Sequence, residues 1–320
     1  MHVIFHNWSG LSFVAARIFF VFMRRYTVIL LLVIAFSASA QRFDSGASFF
    51  REPLAVQVGL LPDGASGSSS LFFLDGTLWT CNDHGTLVLY ALDTLTAEVT
   101  ATLDLGVKVY DLEEVAQDNL YIYFGDIGDN AGSRPHLRVL RLAKSDFRRR
   151  HYLFDTIRFS YPDRTTANAR DFDCEAFLST GDSLYFFTKQ WLSQGSACYS
   201  VPNSPGDHVA THRFTLHTDG LVTGACYMPQ LRILALVGYS LLVQPFVYLI
   251  DGFDSCRFNL GRHRRTDLAN PIGSQTEGIA SLDGIHYFLT RETLTLSFFS
   301  RRAALLRLDL SGLSMEFNVR

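Results

Sequence analysis

The chain has 320 residues, of which 48% are hydrophobic and 13% aromatic, enough to bury a large core in one or two domains. Its 28 Lys and Arg against 31 Asp and Glu leave a formal charge of −3, so no basic surplus argues for nucleic acid as a partner. The five cysteines have no CxxC spacing and are too sparse for a disulfide scaffold or a zinc site.

At the N-terminus, Met23-Arg24-Arg25 precedes the apolar run YTVILLLVIAF (26–36) and then Ala38-Ser39-Ala40. A basic start, a short apolar region and small residues before the cut describe a secretory signal peptide cleaved after Ala40. The run is shorter than the ~20 apolar residues of a bilayer span, so no stable membrane span is expected. The membrane anchor is the rival reading. Residues 1–22 are apolar but broken by Arg17. They read as an upstream start mis-assigned ahead of Met23, or as a long leading region. The expected location is therefore secreted or periplasmic, with residues 41–320 as one domain. Export permits disulfides, and Cys174 could pair with Cys198 if their strands are neighbours. Otherwise these cysteines read as buried thiols.

Beyond residue 41, helical periodicity nearly vanishes. Short alternating runs such as TLWTC, NLYIYFG, SLYFFTK, RILALVG and IHYFLTR are separated by Gly, Asp, Asn and Ser, the pattern of strands and turns. These runs recur in a larger unit. The copies are SSSLFFLDGTLWTCND (68–83), EEVAQDNLYIYFGD (113–126), EAFLSTGDSLYFFTK (175–189), TGACYMPQLRILALVGY (223–239) and EGIASLDGIHYFLTR (277–291). Each supplies a short strand, a turn and a longer strand. A third strand follows (LVLYALD, LRVLRLA, ACYSVPN, FVYLIDG, ALLRLDL), and in most copies a fourth, more polar one (AEVTATLDL, DTIRFSYPD, ATHRFTLHT, SCRFNLG).

Four antiparallel strands every ~45–60 residues make the blade of a β-propeller. The fold class is thus all-β, a single propeller with five blades counted and six as the alternative. An eight-stranded barrel or sandwich is the rival. The last blade is finished either by MEFNVR (315–320) or by LAVQVGLLPD (54–63), which would fasten the ring shut.

In a propeller the first strand of each blade lines the central channel and the second returns beside it. The start of the first and the end of the second therefore meet near one face. Gly67, Glu113, Glu175, Thr223 and Glu277 hold the first position, and Asp83, Asp126, Lys189, Tyr239 and Arg291 the second. Carboxylates converging on a channel mouth suit a hard cation such as Ca²⁺. The candidate metal ligands are Glu113, Glu175, Glu277, Asp126 and Asp83, and the candidate ligand-binding residues Lys189, Tyr239 and Arg291. Lys189 and Arg291 could equally neutralise the glutamates as structural ion pairs. The loop GDIGDN (125–130) lacks the order and closing Glu of an EF-hand and reads as a turn. His84, beside Asp83, could also reach the mouth. There is no GxSxG, GxxxxGK[ST] or HExxH.

The segments DLEEVAQDNLYIYFGDIGDN, ARDFDCEAF, SLYFFTKQW, DGLVTGACY and SQTEGIA resemble a group of secreted bacterial β-propeller proteins without an assigned activity, over residues 54–309. More distantly, the EGIA-type blade start is similar to SdiA-regulated, esterase-like phytase and SMP-30/gluconolactonase propellers. The last resemblance implies a divalent metal on channel-facing acids and lactone hydrolysis. Glu113, Glu175 and Glu277 would then stand nearest the metal, with Asp83 and Asp126 as helpers. Gly67, Lys189 and Arg291 depart from that acidic pattern.

Three functions follow as expectations. The first is an exported propeller, a monomer, that binds a small molecule, glycan or protein at its mouth without catalysis. The others are a Ca²⁺-dependent hydrolase of lactones, esters or phosphoesters, and a structural or surface-assembly scaffold.

Overall fold

Period-2 alternation does in three dimensions what it predicts. In YIYFGD (Tyr121–Asp126) and SLYFFT (Ser183–Thr188) successive side chains point to opposite sheet faces, and each face is covered by one of the two neighbouring blades. The computed structural model describes residues 52–296 and 299–314. The expected signal peptide and the MEFNVR segment lie outside the described residues.

Five mainly antiparallel sheets form a five-bladed propeller. From the channel outward, blade 1 is Phe72–Leu74, Thr77–Cys81, Gly85–Leu92 and Val99–Val109. Blade 2 is Leu112–Gln117, Tyr121–Asp126, Leu137–Ala143 and Phe154–Ser160. Blade 3 is Cys174–Thr180, Ser183–Thr188, Ser196–Pro202 and Thr211–Leu216. Blade 4 is Leu221–Met228, Ile233–Tyr239, Pro245–Asp251 and Arg262–Asp267. Blade 5 is Thr276–Ser281, His286–Arg291 and Ala304–Asp309, completed by Val56–Leu60 from the N-terminal side. The strand from residues 54–63 thus closes the ring, pairing Val56 with Arg307 and Leu60 with Ala304.

Two features depart from the sequence reading. The outer strand of blade 4 is Arg262–Asp267, not SCRFNLG. Within that segment Phe258–Leu260 makes a 3₁₀ turn, because the Phe258 ring is fully buried among Phe253, Phe214, Tyr185 and Tyr227. Blade 2 also gains a fifth strand, Gly206–Val209, which leaves blade 3 and pairs in parallel with Phe154–Ser160.

The core is not central. Five hydrophobic clusters form, one between each pair of neighbouring blades, so every blade face is buried against the next. Hydrogen bonds stitch the ring in the same order. Ser69 Oγ donates to Leu112 O, Asp129 N–H to Asp173, Gly220 N–H to Gln194 O, Thr223 Oγ1 to Thr276 O and Thr290 Oγ1 to Ser68 O. All five cysteines are free, with Cys81, Cys174 and Cys198 buried in strands, so Cys174 and Cys198 do not pair. No helix among the described residues is long and apolar enough to cross a membrane.

Candidate functional site

In blades 2 to 5 the innermost strand carries an extra residue against its partner. The register slips between Leu112 and Glu114, Cys174 and Ala176, Val222 and Gly224, and Thr276 and Ile279. These bulges fall on Glu113, Glu175, Thr223 and Glu277. A bulge re-aims a side chain out of the alternation, and here it accompanies the turn of the three glutamates toward the channel mouth.

They meet in a cavity of about 270 Å³. Glu113, Glu175 and Glu277 are joined there by Asp83, Lys189 and Tyr239, as the repeat predicts. Five further residues line it: Asp111, Asn130, Trp191, Gln275 and Glu292. Three of these carry a sequence signal that the repeat alignment passes over. Asp111 and Gln275 stand two residues before a ring glutamate and Trp191 two after Lys189, and residues two apart in extended chain share a face. Gly128 makes the crowding possible, since a Cβ there would overlap Glu113 Oε1 and the Asp111 carboxylate.

Two predicted site residues are not in the cavity. Asp126 is fully buried between Arg134 and Arg138, at 2.9 and 2.8 Å, and accepts the Asp111 N–H. It anchors the mouth loop from behind. Arg291 points away, donating to Arg302 O and to Gln57 Oε1 of the closing strand. The next residue, Glu292, takes the inward place instead. His84 is exposed and bonded to Asp83 at 2.6 Å. The GDIGDN loop is held by side-chain pairing: Asp129 accepts from Ser133 and Arg134 N–H groups and binds Arg164.

The electrostatics are dominated by one ammonium among many carboxylates. Lys189 Nζ lies 2.5 Å from Glu175 Oε1, both almost fully buried, and stands 5.0 Å from the Trp191 ring and 5.3 Å from that of Tyr239. Burial alone would lower Lys189, but the Glu175 and Glu277 carboxylates outweigh it and hold the amine well above its ordinary range. Burial pushes Glu175 up, opposed by that ammonium. Burial, then the charge of Glu175, raises Glu113 well above the usual carboxylate range. Glu277 is pushed up to about 8 by burial and the neighbouring Glu292. Glu292 is pushed up to about 7, again by burial first. Glu277 and Glu292 thus keep their protons to a higher pH than a solvated carboxyl does, which sets carboxyl O–H donors beside the Glu175 carboxylate paired with Lys189.

The mouth is blind. Glu114, fully buried, crosses the channel from blade 2, and its Oε2 accepts the Ala225 N–H of blade 4 at 3.0 Å. Beyond that brace lies a second hollow of about 230 Å³, lined by residues such as Val115, Phe177, Tyr227 and Ile279.

No family model matches the sequence, and no curated protein does. Solved structures match in fold. An exo-β-1,3-galactanase from Phanerochaete chrysosporium, solved with galactose, is 10% identical over 82% of this chain and 65% of that one, with a TM-score of 0.51. A gluconolactonase from Xanthomonas campestris is 10% identical over 85% of this chain and 99% of that one, TM-score 0.44. A PQQ-bound aldose sugar dehydrogenase from Streptomyces coelicolor is 10% identical over 81% and 98%, TM-score 0.42. The likeness is one of fold.

Proposed function

We propose that this chain is a binding propeller whose mouth takes a small, hydroxyl-rich molecule of about monosaccharide size. The observation that carries the reading is the mixed lining of a blind, polar cavity. Carboxylates accept, Lys189 donates, and Asn130, Gln275, Tyr239 and the raised carboxyls can do both. Hydroxyl groups, which donate and accept at once, satisfy such a lining. A free anion would meet the excess of carboxylates, and a bare cation would meet Lys189. At about 270 Å³ the cavity lies at the small end of ligand sites, too small for a folded partner. Action outside the cytoplasm, after signal-peptide removal, belongs to the same proposal.

Calcium is the competing ligand, because carboxylate oxygens outnumber ammonium groups at the mouth. The residues as they stand do not make its cradle. Lys189 already sits on Glu175, and among the described residues no group of three Asp, Glu, His or Cys side chains stands close enough together to hold one ion. No hydrolytic step is therefore derived through a metal.

The test is calorimetric titration of neutral monosaccharides, amino sugars and calcium into the purified chain, with melting curves in calcium and in EDTA. Saturable sugar binding that Glu113→Gln or Lys189→Met weakens at least about tenfold, the size of one charge-assisted hydrogen bond, supports the reading. Calcium binding with an EDTA-sensitive melt and no sugar binding overturns it in favour of the metal. Sugar binding indifferent to both substitutions removes the mouth as the site.

A further inference from the structure

A second cluster of charge lies outside the mouth, across the upper end of blade 2. Cross-strand pairing sets five residues in one row from the channel outward: Leu112 opposite Asp126, Asp126 opposite Arg138, Arg138 opposite Arg158, and Arg158 opposite Asp207 on the added fifth strand. The charged part of the row therefore reads minus, plus, plus, minus. Arg138 binds Asp126 on its inner side at 2.8 Å, and Arg158 binds Asp207 on its outer side at 2.6 Å. The two arginines are cross-strand neighbours with no acid between them, each reaching its carboxylate on the far side. Like charges directly opposite in a ladder destabilise it.

Between them opens a hollow of about 360 Å³, lined also by Tyr110, Arg134, His136 and Leu137. Arg134 shares the single carboxylate of Asp126 with Arg138. Arg134 also lies in the field of the Asp111 carboxylate, so the positive face of the hollow rests chiefly on Arg138 and Arg158. Tyr110 forms one wall: its ring is largely exposed and lies 5.1 Å from the Arg138 guanidinium. Arg138 is held by a further bond to Lys108 O, and Arg134 by Gly128 O, so two of the cations are fixed before any ligand arrives. Pre-placed planar guanidinium groups are the chemistry that recognises carboxylate, sulfate and phosphate oxygens.

We propose that this shelf is an anion-binding site, distinct from the mouth, for one phosphate, sulfate or carboxylate group, free or carried on a sugar. The inference does not depend on the mouth reading, because it uses none of the cavity's carboxylates. The anion lies in the hollow between Arg138 and Arg158, with Arg134 behind it. A ring bearing the acid group lies against Tyr110.

The experiment is calorimetric titration of the whole chain with inorganic phosphate and, separately, with glucuronate. Both are expected to bind with one-to-one stoichiometry, and affinity should fall as salt rises. Arg158→Ala should weaken both by roughly fivefold, the scale of a half-exposed charge pair. Asp207→Asn, at an exposed position, frees Arg158 and should tighten both by a few-fold, whereas a purely structural pair predicts no gain. Tyr110→Ala should weaken glucuronate and leave phosphate unchanged, which separates a sugar-borne acid from the free ion. Absence of binding by both probes overturns the proposal. So does binding that neither Arg158→Ala nor Asp207→Asn alters in variants whose melting matches the parent.

Discussion

Glu114 Oε2 of blade 2 accepts the Ala225 N–H of blade 4 at 3.0 Å, joining two inner strands that are not neighbours in the ring. Its other oxygen accepts the Val115 N–H at 2.9 Å, so one carboxyl satisfies two buried backbone donors. Removing it leaves both without partners. Glu114→Ala is expected to cost about 2–4 kcal/mol of unfolding free energy, read by chemical denaturation. Glu114→Gln keeps an acceptor and should cost clearly less. Equal losses would show that the brace carries no weight.

The mouth acids make stability fall as pH rises. Glu277 holds its proton in the folded state up to about 8 and Glu292 up to about 7, against an ordinary value of 4.5. Between those limits the folded chain binds more protons than the unfolded one, so stability present near pH 5 is lost as pH climbs through 8. Exposed His286, raised by Asp283, acts with the same sign. The comparison is therefore with Glu277→Gln, whose melting temperature should decline less between pH 5 and 8. A parallel decline in both proteins counts against this account.

Lys189 and Glu175 form a buried pair whose partners are not equally replaceable. Lys189→Met strands the carboxyl beside Glu113 and Glu277, a change expected to cost about 3–5 kcal/mol. In the double variant Lys189→Met/Glu175→Gln the stranded charge disappears, and much of the loss should return. A double-mutant cycle by denaturation measures the coupling, and additive single losses would refute it.

Ring closure has a second fastening besides the strand ladder. Asn270 Oδ1 accepts the Ala55 N–H at 2.9 Å, and its Nδ2 donates to Ala55 O at 2.7 Å, imitating a strand partner at a buried site. Asn270→Ala should cost about 2–4 kcal/mol and speed amide hydrogen exchange in Val56–Leu60 before the rest of the ring. Uniform exchange across all blades would place the closure elsewhere.

The blade repeat was legible in the sequence because both of its signals are local. Alternation fixes which residues share a face. Repetition then aligns Glu113, Glu175 and Glu277, and the same register puts Asp83, Lys189 and Tyr239 beside them at the mouth. Closure by residues 54–63 was one of two completions that the sequence offered for the last blade, and the pairing of Val56–Leu60 with Ala304–Asp309 decided it.

What the tertiary structure alone decided is which charges face inward and which are already matched. Arg291 and Glu292 are adjacent, yet the glutamate lines the cavity while the arginine reaches Gln57 and Arg302 O. Asp126 looked like a mouth acid until Arg134 and Arg138, from the loop and strand behind it, enclosed it. Segment RHRRTD (262–267) carries too much charge to read as a strand, yet its backbone pairs with Pro245–Asp251 and its Arg262 meets Asp251. Alternation is written into each residue and its neighbours. Charge matching depends on partners far away in the chain, and only the closed ring brings them together.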